Sequence, residues 1–238
     1  MRENYFEKLV KYIKKVYKMD KQINSLSDER SNPSYKTGQV MLPLVLGLLL
    51  RIKSLNELNC MLKENEFKNL ISKGERLPQI DTIRDTLKSI DLKGLEKINI
   101  SIIKKAIENK VFKNGTIDGY MVAAIDGTKI FGSYKLLFEI LTTEIKGKPH
   151  YYHCGAVMSV VGNGPKLVLD YEMYNCKVNS TKKDEGEINV SKRLLSRVLG
   201  NYKNFVDIVT YDALACNSKF INHCIELRVD AVSRITKQ

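Results

Sequence analysis

The chain has 238 residues, of which 43% are hydrophobic and 28% charged, and its mean hydropathy is −0.25. This length supports one large domain or two small ones with a sizeable core. No charge-free apolar run approaches the ~20 residues of a membrane helix, and the N-terminal segment lacks the pattern of a secretory signal. The five cysteines are odd in number and scattered, without a C-x-x-C pair. This disfavours a disulfide framework or a zinc finger and favours the reducing cytoplasm.

The net charge of +12 is concentrated in the first half of the chain. Residues 1–117 carry 23 Lys and Arg against 14 Asp and Glu, whereas residues 118–238 carry 16 against 13. A phosphate backbone is one natural partner for such a basic surface. The alternative is that the lysines serve solubility alone, and charge by itself leaves both interpretations open.

The first half has the three- and four-residue periodicity of helices. Ser54 stands three residues before Glu57, the spacing of a capping box, and Asp81 is positioned to cap a short helix. Several short basic helices can contain a helix-turn-helix, and a bundle that supports the following domain is the alternative. The predicted helices lie at 6–17, 38–52, 55–62, 81–90 and 92–112.

The second half has a different sequence pattern, with short apolar runs between turn residues. The order of elements is β-β-β-α-β-α-β, in which three strands can form a meander and the later strands need parallel crossovers. Ribonuclease-H-like domains have this order. We therefore predict an α/β fold with a mixed sheet over 118–238, preceded by an all-α region over 1–117. The predicted strands lie at 121–126, 151–161, 166–174, 206–211 and 230–236, with helices at 184–199 and 218–227.

Two aspartates follow apolar strands in matching contexts. Asp126 ends the run in AIDGTK, and Asp212 ends the run in VTYDAL. Sites in α/β sheets form at strand ends, and paired carboxylates assemble metal-dependent phosphoryl-transfer sites. Taken singly, Asp126 can instead belong to an Asp-Gly turn, and Asp212 can cap the following helix. Glu185 and Glu187 are interpreted as the start of a helix, with an auxiliary metal or DNA-positioning role as the alternative.

A series of segments in fixed order resembles the catalytic core of IS4-type DDE transposases. The segments are AIDGTKIFGS, HYYH, KLVLDYEM, DEGEI with KRLL, VTYDALACNS and VDAVSRI, and the earlier LPQIDTIRDTL resembles the helical region that precedes that core. The resemblance implies a ribonuclease-H-like fold with a triad of two Asp and one Glu that binds two divalent metal ions. Asp126 corresponds to the first Asp and Asp212 to the second.

The third member of the triad has no counterpart in the sequence. In the family it is a Glu on a later helix, within a Y…R…E…K signature, and this chain ends at Gln238, before such a helix. We therefore expect a truncated transposase or one half of an interrupted reading frame.

The expected function is cleavage and transfer of DNA strands at transposon ends, with Mg²⁺ or Mn²⁺ held by Asp126 and Asp212. We expect this polypeptide to be inactive by itself. The alternative is a catalytically incomplete DNA-binding remnant or a regulator of the full-length transposase. The expected partners are double-stranded DNA and, for the full-length protein, a second copy of the chain. We expect no membrane association and a cytoplasmic location.

Overall fold

The computed structural model describes residues 5–71, 76–133, 141–145, 148–174, 186–212 and 216–235, with the backbone alone at 141–145 and 149–150. The chain divides into two compact units, residues 1–105 and 106–238. The composition change predicted at 117/118 lies close to the first strand, which begins at Val122.

The described residues of the first unit form helices joined by loops, with one isolated β-bridge between Asp28 and Ile90. Its last helix continues to Glu108, a few residues beyond the division between the units. The helices are α1 (Tyr5–Val16), α2 (Met19–Asn24), α3 (Thr37–Leu49), α4 (Leu55–Met61), α5 (Asn65–Ile71), α6 (Ile80–Ser89) and α7 (Leu92–Glu108).

Helix α3 forms the centre of the helical unit because it is apolar on most of its surface. Val40 and Leu46 are almost completely buried, and Pro43 lies inside the helix. Leu58 of α4 and Ile83 of α6 belong to the same core cluster, with no exposed surface. The burial does not extend to the end of the apolar run, where Leu48, Leu49 and Leu50 are 59%, 42% and 38% exposed.

The start of α4 has one of the two hydrogen bonds of the predicted capping box. Ser54 Oγ accepts a hydrogen bond from the Glu57 N–H at 3.2 Å. The Glu57 carboxylate accepts from the N–H of Lys53, the residue before the N-cap, at 2.7 Å, and not from Ser54. Asp81, in contrast, does not cap α6, because the residue before the helix is Gln79. Asp81 lies in the first turn, where a negative charge is favourable, and pairs with Arg84 at 3.0 Å.

A buried ion pair fixes the segment between α2 and α3. The side chain of Asp28 is only 2% exposed, and its carboxylate accepts from Arg30 Nε at 2.7 Å. It also accepts from Arg30 Nη2 at 2.8 Å and from Thr37 Oγ1 at 2.6 Å. The hydrogen bonds from the Arg30 guanidinium hold the pKa of Asp28 well below its ordinary value, against the opposing effect of burial.

We expect Asp28→Asn to lower the free energy of unfolding by about 2 kcal/mol at pH 7, since it removes a charged acceptor from Arg30. Because the pKa of Asp28 is lower in the folded chain, its stabilisation is present above the unfolded pKa near 4 and is lost as the pH falls below that value. Urea unfolding of both chains between pH 7 and pH 2 should show the difference shrinking. Asp81→Asn, at an exposed ion pair, is the matched control and should change little.

The second unit contains one six-stranded sheet and two helices among its described residues. The elements are β1 (Val122–Ser133), β2 (Leu141–Ile145), β3 (Lys148–Val161), β4 (Val168–Met173), α8 (Glu187–Asn201), β5 (Ile208–Tyr211), α9 (Ser218–Glu226) and β6 (Asp230–Ser233).

The sheet is mixed, with β1 at its centre. β3 is antiparallel to β1, and both β2 and β4 are antiparallel to β3, along different parts of its length. β5 is parallel to β1, and β6 is parallel to β5. The predicted α/β class with a mixed sheet after an α-helical region is therefore confirmed. The strand β2 was not predicted.

Helix α8 is fixed on β4 by charged side chains. Arg197 Nε donates to Asp170 Oδ2 at 2.6 Å, and the same guanidinium also contacts Glu172. Arg193 Nε donates to Glu172 Oε1 at 3.1 Å. Asp170 is 6% exposed. A buried carboxylate destabilises the fold unless it is paired, and Arg197 provides the pair.

Edge strand β6 leaves apolar surface open. Val232 is 56% exposed and Ile235, just after the strand, is 81% exposed. Within the described residues, no helix is long and apolar enough to cross a membrane.

Candidate functional site

Asp126 and Asp212 follow the two strands of one parallel ladder. Val122 pairs with Ile208 and Ala124 with Thr210. This last pair ends the ladder, and Asp126 and Asp212 each lie two residues beyond it. Both aspartates are exposed to solvent.

Asp207 helps to set this register. Its carboxylate Oδ2 accepts a hydrogen bond from the Met121 N–H at 2.7 Å, and its own N–H donates to the Met121 carbonyl at 2.9 Å. Asp207 therefore joins the start of β1 to the entry of β5 before the ladder begins. Sequence reasoning did not single out this residue, because an Asp before a strand has no signature of its own.

The two alternative interpretations of the aspartates do not hold. Asp126 and Gly127 do not form a turn, because they pair with Val157 and Ala156 in the antiparallel ladder with β3. β1 continues to Ser133, so Asp126 ends only the buried half of the strand. Asp212 does not cap α9, because the N-cap of that helix is Asn217, whose side chain accepts from the Phe220 N–H.

A third carboxylate, that of Glu187, lies against β1. An added Cβ at Gly127 would lie 2.7 Å from the carboxylate carbon of Glu187. Glu187 Oε1 accepts a hydrogen bond from the Tyr211 hydroxyl at 2.8 Å, and the Tyr211 hydroxyl is also 2.7 Å from Ser191 Oγ. Glu187 is the first residue of α8, as the sequence predicts.

Glu187 approaches the sheet from the face opposite to Asp126. Consecutive strand residues project to opposite faces, and Glu187 covers Gly127, the residue that follows Asp126. No group of three acidic, His or Cys side chains suited to a metal occurs among the described residues. The structure places Glu187 with Tyr211, and the pairing of Asp126 with Asp212 stays a prediction.

Two tyrosines surround the Glu187 carboxylate and respond to its charge. Burial raises the pKa of Tyr211, and the neighbouring Glu187 raises it further. Burial also raises the pKa of Tyr174, with additional contributions from Glu187 and from Asp126. Both phenols therefore stay protonated at neutral pH and can act as hydrogen-bond donors.

A row of Ser196, His223 and Glu226 has the residue types of a hydrolytic triad but different chemistry. His223 Nε2 lies 2.9 Å from Ser196 Oγ and 3.2 Å from the Lys192 carbonyl. Ser196 donates its only hydroxyl hydrogen to that same carbonyl at 3.0 Å. The imidazole Nε2 is therefore the donor in this group and cannot accept the serine proton, so the row joins α8 to α9 and does not generate a nucleophile.

Comparison with known proteins gives no assignment: no family model matches the sequence, and no curated protein matches it significantly. The geometry of the second unit is therefore the basis for a functional proposal.

We expect Gly127→Ala to destabilise the protein by about 1–2 kcal/mol, because the new methyl group displaces the Glu187 carboxylate from Tyr211. In a Glu187→Ala background the same substitution should be neutral or slightly stabilising, since nothing opposes the methyl group and glycine weakens a strand. Chemical denaturation of the four chains of this cycle measures the coupling.

Gly200→Ala is the control, because Gly200 lies in α8 with open space around its Cα. That substitution should stabilise the helix by up to about 1 kcal/mol. Equal losses from Gly127→Ala in both backgrounds would contradict the contact with Glu187.

Proposed function

We propose that the protein is a DNA-processing protein of the DDE transposase class, with Asp126 and Asp212 as two carboxylates of a metal-dependent phosphoryl-transfer site. The observation that carries this proposal is the β1–β5 register, which leads from Val122 and Ile208 to the two aspartates. The motif resemblance at both positions supports it independently.

The strand order is consistent with a ribonuclease-H-like domain. Without β2, the order across the sheet is β4-β3-β1-β5-β6. The first three of these strands in the chain form an antiparallel meander, and the next two run parallel to β1. We infer that this domain is a ribonuclease-H-like core with one additional hairpin strand.

The donor chemistry of Asp126 and Asp212 fits Mg²⁺ or Mn²⁺. Both ions prefer carboxylate oxygens and retain several water ligands, and two exposed carboxylates on adjacent strands leave space for that water. When bound, such an ion polarises a phosphodiester and activates an attacking oxygen. Asp126 and Asp212 would hold it, and the rigid ladder with β3 and β5 would fix their position.

A catalytically incomplete DNA-binding protein is the second candidate function. It is favoured by the position of Glu187, which Tyr211 holds on the opposite face of the sheet from the two aspartates. In-line transfer normally uses two metal ions, and two aspartates are sufficient for one. Assembly with a second copy, or with a longer transposase, stays a prediction from the family resemblance.

We expect one divalent ion to bind per chain, and we expect its binding to require both aspartates. Asp126→Asn and Asp212→Asn should each weaken Mn²⁺ binding by about tenfold or more, because each removes a charged oxygen ligand. Isothermal titration with MnCl₂ measures this. Asp118→Asn is the control, since it removes the same charge from an exposed turn of the same unit. Equal binding by all four chains would contradict the proposed site.

Incubation of the 238-residue chain with Mn²⁺ and labelled duplex DNA distinguishes the two functions. Under the second candidate, the chain binds the duplex without specific strand cleavage. Specific cleavage that disappears in Asp126→Asn would instead establish the complete enzyme.

A further inference from the structure

The helical unit contains a cleft between the α4–α5 pair and the start of α6. Its volume is about 890 Å³, and four of its lining side chains are cationic. Of the described residues that line it, only Asp81 is acidic, and Asp81 already pairs with Arg84. The four cations are Lys63, Lys68, Arg76 and Arg84.

The remaining polar lining of the cleft consists mostly of amides. Asn56 and Asn59 lie on α4, Asn65 and Asn69 on α5, and Gln79 precedes α6. Each amide offers both a donor and an acceptor. A wall of this kind can bind phosphate oxygens, sugars and base edges without being repelled by any of them.

Two acidic side chains of this region line a different groove. Glu64 and Glu66 line a groove of about 260 Å³, together with Phe6, Met61 and Phe67. Glu57, at the start of α4, accepts from the Lys53 N–H and does not line the cleft. The described lining of the cleft is therefore more basic than that of the neighbouring groove.

We propose that this cleft binds the phosphate backbone of double-stranded DNA. This inference rests on the proposed function, which makes DNA the substrate, and it assigns the contact to a specific surface of the helical unit. Arg76 and Arg84 offer planar guanidinium groups that can bind phosphate oxygens in pairs, while Lys63 and Lys68 add charge along the same wall. An acidic peptide would satisfy the same cations, and the competition experiment below distinguishes it from DNA.

The test measures binding of a fluorescein-labelled 20-base-pair duplex of mixed sequence to the full chain by anisotropy, between 50 and 300 mM KCl. We expect the triple variant Lys63→Ala/Lys68→Ala/Arg76→Ala to bind at least tenfold more weakly near 100 mM KCl. The slope of log Kd against log salt should fall by about 2 to 3, because each lost phosphate contact removes about 0.9. Circular dichroism verifies that the variant is folded.

The matched control is Lys93→Ala/Lys97→Ala/Lys104→Ala, which removes the same charge from exposed positions of α7. This triple variant should bind within about threefold of the unaltered chain and keep most of its salt slope. Equal losses in the two triple variants would overturn the assignment to the cleft and leave DNA binding itself intact. Poly-L-glutamate that competes as well as duplex DNA at equal charge concentration would overturn the choice of partner.

The outcome for the cleft is separable from the outcome for the carboxylate site. The anisotropy titration measures duplex affinity and the calorimetric titration measures Mn²⁺ affinity, so each site has its own measurement. If the unaltered chain shows no salt-dependent duplex binding, the cleft inference is wrong. Metal binding by Asp126 and Asp212 is then judged by the calorimetric titration alone.

Discussion

The parallel pairing of β1 with β5 is the constraint on which the second unit depends. It joins segments that are far apart in sequence, and only three residue pairs define it, from Val122 with Ile208 to Ala124 with Thr210. Three residue pairs alone hold the register of two strands only weakly. Asp207 stabilises this register through two hydrogen bonds with Met121. The predicted pairing of Asp126 with Asp212 is an extension of this ladder.

Helix α8 completes the sheet by covering one face with both apolar and charged contacts. Leu194 and Leu195 are fully buried, and Arg197 compensates the buried charge of Asp170. At the other end of the same helix, Glu187 receives the Tyr211 hydroxyl. The face covered by α8 thus pairs the charges of Asp170 and Glu187 with groups of the same unit.

Much of the fold was predictable from periodicity and turn residues. The long helices α1, α3 and α7 have extended apolar patterns, and the strands β3, β4 and β5 lie within or close to their predicted ranges. The short helices α2 and α5 were missed because six or seven residues give too little periodicity. The second half of β1 was missed because its residues are exposed on both faces, so the apolar pattern stops at Ile125.

The candidate site was predictable only in part. Asp126 and Asp212 stand out because each follows an apolar run, although their pairing and chemistry stay predictions. The position of Glu187 could not be derived from the sequence, since it depends on how α8 crosses the sheet and on the missing side chain of Gly127. The role of Asp207 could not be predicted either, because it is a contact with Met121, 86 residues away in the sequence.

The distance in sequence between β1 and β5 determines when these two strands can pair during synthesis. β1, β3 and β4 pair with neighbours in sequence, so this meander can assemble while the rest of the chain is still being made. β5 joins only after the ribosome has added α8, and β6 is later still. The basic helical unit, which comes first, is therefore able to fold well before the two carboxylates are brought together. In a chain that is still being synthesised, the basic helical unit is complete before Asp212 has been added.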